Sequence, residues 1–262
     1  MNKHYILASL CVLSLTLTAC GSDDDHNDTM VVTPTPEPVP TPTPEPEPVF
    51  EPFIYAVKVT NITRGQPLSP LAAMIFNGEY QMPQIGEPAS VALEVLAESG
   101  DNSQWLQAAM VDEHVYMSTS AEGGPLLPGA STTVMLEVDP GAEVPADMYL
   151  GLVSMLANTN DGITMLDATD LAQLQVDESA SWTTLSYDTG TELNSESADT
   201  IIGPAAAGGL QEGFNAVRDD IVDELRLHSG VISYDDGLMG SALSEAQRFD
   251  NPVMRVDITR MQ

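Results

Sequence analysis

Residues 54–62, with the sequence IYAVKVTNI, form a run of β-branched and aromatic side chains that the turn-forming residues 64–67, RGQP, bring to an end. A run of this composition bounded by Gly and Pro predicts a β-strand. Similar runs follow along the chain, and Gly- and Pro-rich segments separate them. We therefore expect further strands at residues 71–76, 115–119, 131–138, 149–156, 181–187 and 253–258.

Two short helices are expected between these strands. One covers residues 88–97, with Pro88 in its first turn and Gly100 closing it, and the other covers residues 103–110 with a cap at Asn102 or Ser103. Many short strands with only two small helices indicate a mainly β fold, an antiparallel β-sandwich with short helices in the connections.

Residues 211–227 fit two different structures. Phe214, Val217, Ile221 and Leu225 repeat at helical spacing, whereas the end of the segment also suits strands. We expect a loop and a short helix that lead into a strand.

The amino-terminal residues have the pattern of a bacterial lipoprotein signal. An apolar run at residues 5–17 follows Lys3 and leads into the sequence LTAC at residues 17–20. The run is too short to cross about 30 Å of hydrocarbon as a helix, so a cleaved signal peptide at residues 1–19 is the better interpretation. Cys20 would then carry the lipid that holds the protein on a membrane.

A proline-rich stalk is expected between the lipid and the folded domain. Nine of residues 33–52 are proline, a composition that prevents helix and central strand and favours extended polyproline II structure. Gly21 and Ser22 after the cysteine favour the outer membrane of a Gram-negative cell envelope. The predicted organisation is thus a signal peptide at 1–19, a lipidated stalk at 20–52 and one domain at 53–262.

Charge and cysteine content limit the partners and the covalent cross-links that the protein can have. The 262 residues include 8 basic and 39 acidic side chains, with a net charge of −31, so nucleic acid is excluded as a partner because its phosphates require a basic surface. The two cysteines are Cys11, inside the signal, and Cys20. The exported protein is therefore expected to contain no disulfide.

Common catalytic arrangements are missing from the sequence. It has no Gly-x-Ser-x-Gly motif, and no cysteine remains as a nucleophile. His114 and His228 are the histidines of the predicted domain, and their spacing does not suggest a zinc site. We expect no enzymatic activity and no catalytic residue. A hydrolase that acts on carbohydrate through two carboxylates stays open, because 39 acidic residues can supply such a pair.

Two acidic loops are the candidate binding site. Asp161 lies in the sequence NTNDG that follows one predicted strand, and Asp188 and Glu192 lie in DTGTE directly after another. Calcium takes six to eight oxygen ligands from carboxylates, carbonyls and water, and Gly190 allows the backbone to bend around an ion. The alternative is that these carboxylates are simply solvated.

The order of several motifs resembles the spondin domain, which is best known from the amino-terminal region of F-spondin and occurs in many bacterial lipoproteins. The resemblance covers nearly all of residues 53–262. It is carried by IYAVKVTNI at 54–62, GGPLLPG at 123–129, NDG at 160–162, YDTGTE at 187–192 and NPVMRV at 251–256.

This resemblance implies a β-sandwich similar to calcium-dependent lipid-binding domains, with one calcium ion held by three acidic side chains. Asp161 and Asp188 match two of the family's aspartates, and Glu192 replaces the third with one extra methylene group. The backbone carbonyl of Tyr187 is a further candidate ligand. Animal members carry cysteines in this region, and the present chain has none there.

The expected function is that of a surface- or periplasm-facing, non-enzymatic binding module for adhesion. It is held on a membrane through Cys20, and its partner would be extracellular matrix, a glycan or another protein. The alternatives are the carbohydrate hydrolase and a purely structural envelope protein.

Overall fold

The structure, a computed structural model, describes residues 50–141 and 144–262, with only the backbone at Ala168. The predicted signal peptide, the lipid at Cys20 and the stalk as far as residue 49 lie outside the described residues. Among the residues that are described, no helix is both long enough and apolar enough to cross a membrane.

In this part of the chain, nine strands pair in antiparallel fashion into one sheet. The spatial order is β3-β2-β5-β6-β7-β9-β1-β4, and β8 pairs with β7 outside this path. The strands are β1 (Phe53–Asn61), β2 (Ala72–Phe76), β3 (Val115–Ser120), β4 (Ser131–Val138), β5 (Tyr149–Met155), β6 (Gly162–Asp170), β7 (Ser179–Asp188), β8 (Arg226–Leu227) and β9 (Met254–Arg260).

The predicted fold class is confirmed. Strands make up 31% of the described residues and helices 12%, so this part of the protein is mainly β, and the antiparallel sheet curls into a nearly closed barrel that is roughly consistent with a β-sandwich. The two terminal strands of the order, β3 and β4, approach one another at the point of closure. Closure of this kind shields strand edges from pairing with other chains.

The sheet buries apolar side chains on both faces where β2 and β5 lie. Side chains alternate along a strand, so Ala73 and Ile75 of β2 enter the core inside the curled sheet, whereas Met74 and Phe76 face the opposite way. That second face is covered by α1 (Val91–Ser99) and α2 (Ser103–Met110), which contribute Leu93, Leu96, Trp105 and Ala109 to a separate core.

Helix α1 begins later than the sequence predicted. Its cap is Ser90, whose hydroxyl accepts a hydrogen bond from the Leu93 N–H at 3.2 Å, so Pro88 lies before the helix and not in its first turn. Gly100 ends the helix with φ = 70°, as predicted. Asn102 precedes α2 without capping it, because its side chain donates to Pro70 O and Ser120 Oγ.

Two segments differ from prediction. Strand β6 was not predicted, since its exposed Asp167 obscures the apolar pattern of a strand. The expected helix within residues 211–227 is also not formed: the segment is a loop that leads into β8, and Val217 and Ile221 are 72% and 88% exposed. Helical spacing of apolar residues was misleading there because only Leu225 of the set is buried.

Candidate functional site

The two predicted acidic loops meet where β6 begins and β7 ends, at one end of these neighbouring strands. Asp188 ends β7 and is paired in register with Gly162, the first residue of β6, so Asp161 stands beside the loop of residues 189–192. Both aspartates are almost fully buried, with 0% and 3% of their surface exposed. The structure therefore brings together Asp161 and the segment after Asp188.

The carboxylate of Asp161 is held by this loop through one of its oxygens. Asp161 Oδ2 accepts hydrogen bonds from the N–H of Thr191 at 2.8 Å and of Glu192 at 3.2 Å, and from the hydroxyls of Thr189 at 2.9 Å and Thr191 at 3.3 Å. The other oxygen, Oδ1, is buried and has no hydrogen-bond partner among the described residues. A buried carboxylate oxygen without a donor is costly, and either a proton or a cation relieves that cost.

The carboxylate of Asp188 has partners on both oxygens. Its Oδ1 accepts from the Gly190 N–H at 2.9 Å, and its Oδ2 accepts from Asn194 Nδ2 at 2.6 Å and from Arg226 Nη2 at 3.0 Å. Arg226 also contacts Asp220. A cation that binds Asp188 therefore shares this carboxylate with the Arg226 guanidinium.

The other two predicted ligands face different surroundings: Glu192 lies in the loop after Asp188, whereas Tyr187 belongs to β7 and directly precedes Asp188. The Glu192 backbone contacts Asp161, whereas its half-buried side chain lines a neighbouring cavity together with Glu98 and Asp219. The ring of Tyr187 packs against the core under the helices, so only its backbone could reach an ion at this end of the strands.

Several polar groups that the sequence did not single out surround the two aspartates. Glu196 is 2% exposed, and its Oε1 accepts from the Ile232 N–H at 3.0 Å while Oε2 has no partner among the described residues. Asn194 Oδ1 is buried and equally without a donor. The His228 ring accepts from the Gly230 N–H through Nδ1, which leaves the proton of the neutral ring on Nε2.

Burial and mutual repulsion raise the pKa values of three of these acids, Asp161, Glu196 and Glu192. Burial, assisted by the charge of Asp188, raises the pKa of Asp161 to about 6. Burial raises the pKa of Glu196 to about 7, with further contributions from Asp161 and Asp188, although the Ile232 N–H opposes the shift. Burial and then the charge of Glu98 raise the pKa of Glu192 to about 8. Such a group of carboxylates is stabilised by a cation.

The residues fit a calcium ion in their chemistry, since carboxylate and amide oxygens are the ligands that calcium prefers. Within residues 50–141 and 144–262, however, no three side chains of His, Cys, Asp or Glu are arranged to hold a metal ion by themselves. A calcium ion at Asp161 would therefore draw on amide and backbone oxygens, or on water, in addition to carboxylates.

Sequence reasoning missed the residues that reach the site from elsewhere in the chain. Asn194 and Glu196 follow the predicted loop directly, so their proximity in sequence was a usable signal. Arg226 and His228 arrive through β8, a strand of two residues, and buried Glu98 arrives on α1. No local pattern marks these three residues.

Comparisons with known proteins do not assign the chain to a family. No protein-family model matches it, and no curated protein is significantly similar to it.

Proposed function

We propose that the chain is a calcium-binding envelope lipoprotein whose β domain is a binding module of the spondin type. The observation that carries the proposal is the carboxylate of Asp161. It is fully buried beside the Asp188 loop, and its Oδ1 has no donor among the described residues. An acid placed in this way is stabilised when a cation neutralises it.

The proposed ligands are the side chains of Asp161, Asp188 and Glu192 with the backbone carbonyl of Tyr187. Calcium supplies positive charge where burial raises the pKa of Asp161 and of Glu192. Neutralising this repulsion would fix the loop at residues 189–192 against the start of β6, and the ordered loops would then present a surface to a glycan, a matrix component or another protein.

The envelope location rests on the sequence. The lipoprotein pattern at Cys20 and the proline-rich residues 33–52 support a lipid anchor with a stiff spacer. We expect the full chain to be recovered in the membrane fraction of a Gram-negative host. The Cys20→Ala variant should instead be recovered in the soluble fraction. A Cys20→Ala chain that is still recovered with the membrane after high-salt washing would contradict this anchor.

Calcium binding is tested by thermal unfolding of the full chain in detergent. Calcium should raise the Tm of the wild type, and a chelator should lower it again. Asp161→Asn should keep a Tm near that of the wild type in chelator, because the amide removes a buried charge, but its Tm should not respond to calcium.

The matched control is Asp250→Asn, which makes the same change at an exposed position. Its response to calcium should equal that of the wild type. An Asp161→Asn chain that still gains the full calcium increment would remove the basis of the proposal.

One observation favours the carbohydrate hydrolase as a second candidate. Glu192, with its pKa raised to about 8, lines a cavity with Glu98, as a general acid in a cleft would. The cavity measures only 160 Å³, however, whereas small-molecule sites usually measure about 300–1,000 Å³. Turnover of a glycan panel by the wild type, abolished in Glu192→Gln, would establish the hydrolase; we expect no turnover.

A further inference from the structure

A cavity with aromatic walls lies between the two helices and the segment that connects β2 to α1. It encloses 390 Å³, whereas small-molecule sites usually measure about 300–1,000 Å³. The rings of Tyr80 and Trp105 line it, together with the apolar side chains of Met82, Leu93 and Leu225. None of these residues is among the proposed calcium ligands.

The segment that forms one wall of this cavity is fixed at both ends. At its start, the ring of Tyr80 packs on that of Phe76, with the ring centroids 4.9 Å apart. Near its end, the Gly86 N–H donates to the Leu225 carbonyl and the Leu225 N–H donates to the Glu87 carbonyl, both at 2.9 Å. The cavity is therefore formed before any ligand enters, which reduces the entropy that binding must lose.

Two carboxylates give the cavity a negative charge. Glu87 and Asp112 line it, and no Lys, Arg or His is among the described residues that do so. None of the ion pairs between described residues includes either of these acids. The charge of Asp112 also acts inside the cavity, since burial and then this charge raise the pKa of Tyr80.

We propose that this cavity binds an organic ammonium ion, a small ligand with an apolar body and one positive charge. The body would displace water from Met82, Leu93 and Leu225. The ammonium group would lie beside a carboxylate or over the face of an aromatic ring, both of which attract a cation. The inference goes beyond the proposed function, since it concerns a different site and a different ligand.

Charge decides between ligands of similar size and shape. An anion would meet Glu87 and Asp112 directly, in a chain whose net charge is −31. A neutral ligand would bury the same apolar area but gain nothing from these two acids. A cation gains both contributions, so the cavity favours it.

The test is isothermal titration calorimetry of the full chain in detergent, with a chelator present so that the result does not depend on the calcium site. The probes are phenethylammonium, the neutral 2-phenylethanol and the anionic phenylacetate, each corrected by a titration into detergent alone. Phenethylammonium should bind the wild type about fivefold more tightly than 2-phenylethanol does, and phenylacetate should bind more weakly than both.

Ala108→Phe tests whether the probe enters this cavity. Ala108 is an exposed residue of α2 that lines the cavity, so a phenyl group there fills the space without disturbing the core, and binding of phenethylammonium should be lost. Gln107→Phe is the matched control, because it adds the same ring at an exposed position of α2 outside the cavity. It should bind as the wild type does.

The double variant Glu87→Gln with Asp112→Asn tests the role of charge. It should weaken binding of phenethylammonium on the order of tenfold and leave that of 2-phenylethanol unchanged. Glu113→Gln with Glu122→Gln removes two exposed charges outside the cavity and should change neither affinity. The proposal is overturned if the wild type does not bind phenethylammonium, if 2-phenylethanol binds as tightly, or if Ala108→Phe binds as the wild type does.

Discussion

Arg226 places a positive charge on one of the proposed calcium ligands. Its Nη2 lies 3.0 Å from Asp188 Oδ2, and the same guanidinium contacts Asp220. The side chains of both aspartates are almost fully buried, so this contact is weakly screened by solvent. In the absence of calcium the arginine compensates Asp188, and it repels any cation that approaches.

Arg226→Gln should therefore change stability and calcium response in opposite directions. The Tm in chelator should fall, because Asp188 and Asp220 lose their counter-charge, and the Tm increment from calcium should become larger than in the wild type. Arg64→Gln is the control, since Arg64 makes only a 4.0 Å exposed contact with Glu245. A calcium increment that shrinks in Arg226→Gln would show that the arginine supports the ion.

Gly190 is the residue that allows the loop after Asp188 to fold over Asp161. Its φ is +74°, and a Cβ there would lie 2.4 Å from Val222 O and 2.6 Å from Glu224 N. Gly237 has φ = +99° but nothing within 4 Å of a Cβ. Gly237→Ala should lower the free energy of unfolding by about 1 kcal/mol through backbone strain alone, and Gly190→Ala should lower it clearly more. Urea unfolding measures both losses. An equal loss of stability in both variants would show that the loop after Asp188 can shift to accommodate the added Cβ.

At the scale of elements, the long loop before β8 is attached to helix α1 by charge. Arg218 donates to the buried carboxylate of Glu94, 124 residues away in sequence, and the Asn215 N–H donates to Glu98 one helical turn further on. The exposed apolar residues of this loop contribute little packing, since Val217 and Ile221 are largely in solvent. The two polar contacts therefore position the loop, and with it β8.

Arg218→Ala should lower the free energy of unfolding by about 3–5 kcal/mol, because it leaves the charge of Glu94 buried and uncompensated. Urea unfolding measures this loss. The double variant Arg218→Ala with Glu94→Gln should recover part of it, and Arg255→Gln, which removes an exposed pair with Asp257, should cost about 0–1 kcal/mol. If Arg218→Ala also cost only about 0–1 kcal/mol, the contact between Arg218 and Glu94 would not be what holds the loop.

At the scale of the whole molecule, acidic charge dominates the behaviour. The net charge is −31, and burial raises the pKa values of three acids at the candidate site, Asp161, Glu192 and Glu196. A carboxyl group with a raised pKa keeps its proton in the folded state where the unfolded chain has lost it. Its contribution to stability is therefore present at low pH and is lost as the pH rises from about 4.5 towards the folded pKa.

In chelator, the Tm should fall as the pH rises from 6.5 to 8.5. In this interval Glu196 and Glu192, with pKa values of about 7 and about 8, lose their protons in the folded protein. Burial lowers the pKa of His228, which destabilises the fold only below about 6.5 and so lies outside the interval. Glu192→Gln should flatten the slope, as scanning calorimetry at several pH values can show. A wild-type Tm that rises over this interval would contradict the raised pKa values.

The sequence by itself determined most of the strands and the mainly β fold. Runs such as IYAVKVTNI combine β-branched side chains with a Gly- and Pro-containing end, and that information is local. It also indicated Asp161 and the loop after Asp188 as one site, because both follow strand-like runs. The sequence pattern predicted the wrong start for α1, because both Pro88 and Ser90 are residues that can begin a helix and the cap forms at Ser90.

Only the tertiary structure decided which other groups reach these acids. Glu98 meets Asn215 across 117 residues, and Arg226 reaches Asp188 across 38. Such contacts depend on which strands pair and on how the sheet curls, and no local pattern encodes them. Calcium, the lipid anchor and the spondin resemblance stay predictions from the sequence, whereas the burial that raises the pKa values of the acids follows from packing between distant segments.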